Sequence, residues 1–299
     1  MKSMTDIKAG VIKGDFLLLA KAVTEIENKT AAAEIFLQSL LPNTIPVIGI
    51  TGPPGAGKST LINALIAHWI NQAKKVAVLS VDPSSPFHQG AILGDRIRMK
   101  DWYLHPNVYI RSLAARGHLG GVNSAMLSLT TLMQSVGFDY IIIETVGVGQ
   151  SEVEVASLAD TTIVVLVPEA GDEVQMMKSG LMEIANIFVV NKSDRPNAAN
   201  FLHQLKQMIV ENTNVNAPQV IATIATEKEG LPELVEAIEE HHKHMIIGDK
   251  KKQMLLTKLI QLVVAQKMNQ IDLAQVKIKL DLACEEANFN IFKFAQQFY

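Results

Sequence analysis

The chain of 299 residues is 48% hydrophobic and 19% charged, which gives it enough apolar side chains for a core and excludes a disordered chain. Its formal net charge of −3 excludes the basic field of a nucleic-acid or anionic-membrane binder, and its single cysteine, Cys284, excludes a disulfide framework or a cysteine-rich metal cage. Because it lacks a signal core and any apolar run near the roughly 18 residues of a membrane span, we expect a cytoplasmic protein that binds neither nucleic acid nor membranes.

The first 45 residues predict an N-terminal helical arm. Apolar residues recur near helical spacing in this arm, among them Leu17, Ala20 and Val23. Pro42 and Pro46 then interrupt the pattern.

Residues 46–247 alternate short β-rich runs with helical ones, which predicts an α/β domain with a doubly wound, mostly parallel sheet. Several runs are continuously apolar, as expected of parallel strands covered on both faces, and the ligand of such a sheet lies at the carboxyl ends of its strands. The predicted strands are Val47–Thr51, Val76–Asp82, Val108–Ser112, Tyr140–Glu144, Thr162–Val167, Ile187–Asn191 and Val220–Ala225. The predicted helices are 58–71, 120–136, 151–159, 173–184, 197–212 and 231–245.

Directly after the first strand, the sequence fits the phosphate-loop pattern G-x-x-x-x-G-K-[ST] and then opens a helix. Backbone N–H groups of such a loop, together with the helix N-terminus, bind phosphate oxygens. In this pattern Lys58 bridges the β- and γ-phosphates, and the hydroxyl of Ser59 binds Mg²⁺. The predicted nucleotide contacts are Gly52, Pro53, Pro54, Gly55, Ala56, Gly57, Lys58, Ser59 and Thr60.

A second motif, N-K-x-D, ends a later strand with Asn191, Lys192 and Asp194. An Asp carboxylate accepts hydrogen bonds from N1–H and the 2-amino group of guanine, a donor pair that adenine does not present, so the discrimination can be large. We therefore expect GTP and GDP as the ligands. The loop that flanks the base is expected one unit later, at Ile224, Ala225 and Thr226.

Carboxylates for a magnesium ion are expected near the second strand. Asp82 follows that strand and Asp95 lies a short loop later, where either could reach Mg²⁺ directly or through water. The alternative readings are a turn-forming Asp-Pro for Asp82 and a helix N-cap for Asp95, and the sequence leaves both alternatives open.

The segment after the fourth strand reads Glu-Thr-Val-Gly, where GTPases usually show D-x-x-G. Gly147 can present its N–H to the γ-phosphate, and Glu144 can take the metal-side carboxylate role. Gln150 either positions the attacking water or is an ordinary polar loop residue. The predicted catalytic set is Lys58, Asp95, Glu144 and Gln150, and the predicted metal set is Ser59, Asp82, Asp95 and Glu144.

Residues 248–299 predict a C-terminal helical arm with no strand signal and with an apolar stripe that includes Leu255, Leu259 and Leu262. Cys284 lies on an apolar stretch of this arm and is expected in the core. Just before the arm, the tract His-His-Lys-His at 241–244 could bind a metal, but its place at the end of a Glu-rich helix favours a solvated helix end.

Taken together, these motifs resemble the MeaB/ArgK family of P-loop GTPases, which includes the methylmalonic aciduria type A protein. The resemblance covers about residues 10–240 and rests on the stretches Gly49–Thr60, Val81–Ser85, Ile92–Arg96, Ala115–Gly121, Glu144–Glu152 and Ala170–Gln175. Two departures are His88-Gln89-Gly90, where a double glycine is common, and Ile224, where serine usually precedes the alanine.

The resemblance implies a GTPase chaperone that docks on an adenosylcobalamin-dependent acyl-CoA mutase, gates its cofactor loading and protects it. It assigns the magnesium-side roles to Ser59, Asp82, Asp95 and Glu144, and it favours a homodimer built by the helical arms.

Two other functions compete with this reading. A GTP-dependent metallochaperone would need a Cys/His site from which it transfers the metal. One cysteine and one His-rich tract provide few ligands for such a site. The older family label, a lysine/arginine/ornithine transport kinase, would need an acceptor cleft and a general base, and the sequence points to neither.

Overall fold

The computed structural model describes residues 4–83, 99–115, 121–145, 155–168, 180–212, 217–246, 249–284 and 289–298. Its strands are β1 (Val47–Thr51), β2 (Val76–Pro83), β3 (Val108–Ala115), β4 (Tyr140–Thr145), β5 (Thr161–Leu166), β6 (Ile187–Asn191) and β7 (Gln219–Thr223). They form one parallel sheet in the order β3-β2-β4-β1-β5-β6-β7. The predicted α/β class is confirmed, and each predicted strand is present with ends shifted by at most a few residues.

The helices described are α1 (Met4–Ile12), α2 (Phe16–Glu27), α3 (Ala31–Gln38), α4 (Lys58–Asn71), α5 (Gly121–Gln134), α6 (Leu181–Ile184), α7 (Ala198–Asn212), α8 (Leu231–Ile246), α9 (Asp249–Asn269), α10 (Leu273–Ala283) and α11 (Ile291–Ala295). The predicted helices 151–159 and 173–184 lie partly outside the described residues. No helix in the described ranges has the length and apolar character of a membrane span.

Both faces of the sheet are covered, which explains why its strands are apolar at successive positions. Side chains of α4 and α8, such as Leu65 and Ile238, pack on one face with Ile50 of β1. On the other face α5 and the N-terminal arm pack against neighbouring strands, with Leu132 of α5 in the same cluster as Ile143 of β4. The central strand β1 is buried along its whole length, so the loop that follows it starts from a rigid base.

The N-terminal arm packs directly on the sheet layer. The ring of Phe16 lies 5.6 Å from that of Tyr109 and 5.9 Å from that of Phe138, centroid to centroid. An ion pair between Glu27 and Arg111 joins the end of α2 to β3. Burial raises the pKa of Tyr109 to about 12, so the phenol stays neutral even in moderately alkaline solution.

A buried ion pair joins the C-terminal arm to the amino ends of β1 and β5. The carboxylate of Asp160, 8% exposed, accepts a hydrogen bond from the backbone N–H of Val47 at 3.1 Å. The Lys258 Nζ of α9 lies 4.0 Å from the same carboxylate, and this lysine is 12% exposed. Burial lowers the pKa of Lys258, and the charge of Asp160 opposes that shift.

The histidine tract is only partly a solvated helix end. Nδ1 of His241 lies 2.8 Å from Oγ1 of Thr161, and His242 is buried beside Asp160, where burial lowers its pKa and the carboxylate opposes the shift. The expectation of solvent exposure is therefore wrong for His242 and right for His244, whose side chain is 77% exposed. Within the described ranges, no group of three His, Cys, Asp or Glu side chains is arranged to hold a metal.

Many apolar side chains of the C-terminal arm are exposed. Exposed apolar residues of α9 and α10 include Leu255, Leu256, Leu259, Ile260, Leu262, Val263, Val264, Leu273, Ile278 and Leu282. Cys284, expected in the core, is exposed and caps the end of α10. The apolar periodicity around it predicted burial, but Leu282 of α10 is exposed as well.

Candidate nucleotide site

The phosphate loop connects β1, which ends at Thr51, to α4, which begins at Lys58. The Lys58 Nζ folds back over the loop and donates hydrogen bonds to the carbonyl oxygens of Gly52 at 2.7 Å and Pro53 at 3.0 Å. Only 8% of this lysine is exposed. The ammonium group therefore lies inside the curve of the loop, where the pattern requires it for phosphate binding.

Glycine is required at two positions of the loop. Gly52 has φ +138°, and a Cβ there would lie 2.1 Å from the carbonyl oxygen of Val165. Gly57 has φ +89°, and a Cβ there would lie 2.3 Å from Nδ2 of Asn191. Both the left-handed backbone and the close approach of neighbouring strands exclude a side chain.

On the metal side, the structure brings together Ser59 from the first turn of α4 and Glu144 from β4. The Ser59 hydroxyl donates a hydrogen bond of 2.9 Å to Oε1 of Glu144, which is 5% exposed. The contact joins residues 85 positions apart, because β1 and β4 are neighbours in the sheet. A hydroxyl oxygen and a carboxylate oxygen this close together are suitable ligands for a hard cation such as Mg²⁺.

On the base side, the Asn191 carboxamide joins the phosphate loop to the loop after β7. Its Nδ2 donates to the carbonyl oxygen of Ala56 at 2.9 Å. Its Oδ1 accepts hydrogen bonds from the Thr223 hydroxyl at 3.1 Å and from the Ala225 N–H at 3.2 Å. The N-K-x-D segment, the phosphate loop and the predicted base-flanking loop thus meet at one buried amide.

Lys192 adds a second link between the two motifs, because its Nζ donates to the carbonyl oxygen of Gly55 at 2.8 Å. Asp194 is exposed two residues later, where its carboxylate is open to a ligand. The loop that follows β7 is closed by a bridge between Ile224 and Glu229, which holds Ala225 and Thr226 beside the N-K-x-D segment.

Several predicted site residues are not placed by the structure. Asp95, Gly147 and Gln150 lie outside the described residues, and Asp82 is placed only by its backbone near the end of β2. Their roles stay predictions.

Sequence reasoning missed Thr223, whose hydroxyl binds Asn191, and the hydroxyl pair of Thr51 and Thr145, which lies between the phosphate loop and the Glu144 segment. All of these threonines are buried polar residues at the last position of a strand. That combination is the signal by which they could have been found, because a buried hydroxyl needs a partner.

Comparison with known proteins gives a consistent match over most of the chain. The family model described as methylmalonyl-CoA mutase-associated GTPase MeaB matches residues 19–277. The protein PH0274 of Pyrococcus horikoshii is 42% identical over 252 residues, which are 82% of this chain and 80% of that protein. The mouse protein named methylmalonic aciduria type A homolog, mitochondrial, is 36% identical over 261 residues, which are 79% of this chain and 62% of that protein.

Among solved structures, the crystal structure of an LAO/AO transport system kinase superposes with a TM-score of 0.71 at 25% identity. The match covers 99% of this chain and 96% of that chain.

The exposed carboxylate of Asp194 gives a prediction about base choice. We expect Asp194→Asn to weaken the binding of guanine nucleotides, GDP included, by about tenfold to a hundredfold, the range of a lost charge-assisted hydrogen bond. The reason is that the amide presents a donor where guanine also donates. Xanthosine nucleotides carry an acceptor there, so the variant should bind them better than the wild type does.

Calorimetric titration with GDP and XDP measures both changes. Asp101→Asn, at an exposed carboxylate outside the site, is the matched control. Equal wild-type affinities for ATP and GTP would contradict the assignment.

The contact between Ser59 and Glu144 gives a prediction about the metal. Ser59→Ala should raise the Mg²⁺ concentration needed for half-maximal GTP hydrolysis, since it removes an oxygen ligand. Glu144→Gln should lower kcat more than it lowers nucleotide affinity, because its carboxylate organises the metal side in the transition state. Ser135→Ala, which removes a hydroxyl just after α5 that donates to the Thr131 carbonyl at 2.8 Å, is the control. A Mg²⁺ requirement unchanged in Ser59→Ala would show that this serine is not a ligand.

Proposed function

Because this chain belongs to the MeaB family of methylmalonyl-CoA mutase-associated GTPases, we propose that it hydrolyses GTP to control its association with an adenosylcobalamin-dependent acyl-CoA mutase. The GTPase activity belongs to the family as a whole. The mutase partner, and the gating and protection of its cofactor, are the parts that we propose. The observation that carries the proposal is the family match over residues 19–277, which includes the complete phosphate loop and the N-K-x-D segment.

Within this proposal, Lys58 binds the β- and γ-phosphates of GTP. Its Nζ exchanges two neutral carbonyl acceptors, those of Gly52 and Pro53, for charged phosphate oxygens. The ammonium is attracted more strongly to a charged phosphate oxygen than to the dipole of a carbonyl group, so the exchange favours the nucleotide-bound state. The backbone of the loop already has the required shape, which lowers the ordering cost of binding.

Magnesium fits the residues on the metal side. The Ser59 hydroxyl and the Glu144 carboxylate supply hard oxygen ligands within 2.9 Å of each other, and Asp82 and Asp95 are the further candidates. When bound, Mg²⁺ would offset the charge on the transferred phosphoryl group. Glu144 would hold the Ser59 hydroxyl and the water around the metal in place, and Gln150 would orient the attacking water.

Asn191 links the loops that recognise guanine to the loop that binds the phosphates. The Asp194 carboxylate reads the base, while the Asn191 carboxamide holds Ala56 of the phosphate loop and Ala225 of the base-flanking loop. A guanine nucleotide therefore engages loops that are already tied together.

Pull-down from an extract of the cells that produce the protein tests the proposed partner. The tagged protein is loaded with GDP or with a non-hydrolysable GTP analogue, and the retained proteins are identified by mass spectrometry. We expect a cobalamin-dependent acyl-CoA mutase to be retained to different extents in the two nucleotide states. Asp194→Asn is the matched control. In this variant, the retention of the mutase should depend on xanthosine nucleotides instead of guanosine nucleotides. Failure to retain any such mutase in either state would overturn the proposed partner and leave the GTPase assignment intact.

We further propose that residues 248–299 form a dimerisation arm, next to a nucleotide-binding domain of residues 46–247 and an N-terminal arm of residues 1–45. The support is the exposed apolar surface of α9, where Leu255, Leu259 and Leu262 are between 43% and 56% exposed. Contiguous apolar surface of this kind is usually covered by a partner, and soluble oligomers are most often symmetric dimers.

Charged substitutions on α9 test the dimer. The double variant Leu255→Asp/Leu259→Asp should elute as a folded monomer at concentrations where the wild type is a dimer by light scattering, because each Asp would be buried without a partner. Val210→Asp, at an exposed valine of α7 outside the arm, should remain a dimer. A wild-type monomer, or a double variant that stays dimeric, would show that α9 does not make the contact.

A further inference from the structure

Two threonine hydroxyls form a buried pair at the carboxyl ends of the neighbouring strands β1 and β4. Thr51 is the last residue of β1 and Thr145 is the last residue of β4. The Thr145 Oγ1 donates a hydrogen bond to Oγ1 of Thr51 at 3.1 Å, and neither residue is more than 1% exposed. Burial of a hydroxyl is costly unless it is hydrogen-bonded, so the two side chains depend on each other.

Each threonine is covalently next to a residue of the nucleotide site. Thr51 precedes Gly52, whose carbonyl oxygen binds the Lys58 ammonium. Thr145 follows Glu144, whose carboxylate binds the Ser59 hydroxyl. A shift of either strand end would therefore move a group that contacts the phosphates or the metal.

The two contacts lie on opposite faces of the same pair of strands. The register pairs Ile50 with Glu144, so the next residues, Thr51 and Thr145, also lie side by side. Because successive side chains of a strand alternate between faces, the threonine pair lies on the face opposite to the bond between Ser59 and Glu144. The carboxyl ends of β1 and β4 are thus held together from both sides.

We propose that the hydroxyl pair of Thr51 and Thr145 is a positioning element for GTP hydrolysis. It fixes the end of β4 against the start of the phosphate loop and so keeps the Glu144 carboxylate at the Ser59 hydroxyl. Neither threonine touches the nucleotide in this assignment, and both act through their neighbours. The proposal concerns the hydrolysis step and does not depend on the identity of the mutase partner.

Valine substitutions test the pair, since valine has nearly the shape of threonine without the hydroxyl. Thr145→Val should lower kcat by about tenfold, the effect of one neutral hydrogen bond, with KM and GDP affinity changed by less than about twofold. It should also raise the Mg²⁺ concentration for half-maximal hydrolysis. Thr145→Ser, which keeps the hydroxyl, should restore both quantities.

A double-mutant cycle tests whether the two threonines act through their shared hydrogen bond or independently of each other. Thr51→Val should reproduce the effect of Thr145→Val, and the double variant should be no slower than either single variant, because one bond cannot be lost twice. Thr130→Val is the control for a purely structural hydroxyl, since Thr130 is 1% exposed and donates to the Met126 carbonyl of its own helix α5 at 2.7 Å. It should lower thermal stability and leave kcat and the Mg²⁺ requirement unchanged.

Three results would overturn the proposal: a wild-type kcat in Thr145→Val, a fall in kcat of the same size in Thr130→Val, or additive effects of the two valine substitutions. If a valine variant does not fold, as judged by circular dichroism, Thr51→Ala and Thr145→Ala provide the same cycle. All measurements use the isolated full-length chain, so a negative result here does not bear on the pull-down.

Discussion

The buried carboxamide of Asn191 is the interaction on which the nucleotide site depends. One side chain at the end of β6 binds the phosphate loop through Ala56, the last residue of β7 through Thr223, and the loop after β7 through Ala225. It can do so only because parallel strands deliver their carboxyl ends to one edge of the sheet. Gly57 completes the arrangement, since any larger residue would collide with the amide. The order of the strands, rather than any one motif, therefore places the phosphate-binding and base-binding loops close enough to contact the same nucleotide.

The sequence was sufficient for the sheet and for the phosphate loop, because both are encoded locally. Continuous apolar runs marked β1 and β6 with their observed ends, and the spacing of glycines and lysine placed the start of α4 at Lys58. The N-K-x-D motif was recognisable for the same reason. What the motif could not reveal is that Lys192 binds Gly55, a contact across 137 residues that exists only once the strands are ordered.

Predictions failed where burial is decided by distant parts of the chain. His242 looked like a solvated helix end, yet it is buried next to Asp160, a residue that precedes β5. Cys284 looked like a core residue because it lies on an apolar stretch, yet both Cys284 and the nearby Leu282 are exposed. The hydroxyl pair of Thr51 and Thr145 could not be read from spacing at all, since it depends on the register between β1 and β4.

The buried ion pair between Asp160 and Lys258 determines how the C-terminal arm is turned about its own axis. The apolar residues of helix α9 are spread around it rather than confined to one face, so hydrophobic burial alone would accept several rotations of the helix against the domain. The ion pair favours one of these rotations, because the Lys258 ammonium must face the Asp160 carboxylate at the amino ends of β1 and β5. Such a pair adds little net stability compared with apolar residues of the same size. Its effect is to fix the rotation of α9, and thereby which leucines of the helix face outward. The pair does this at the end of the sheet opposite to the nucleotide site.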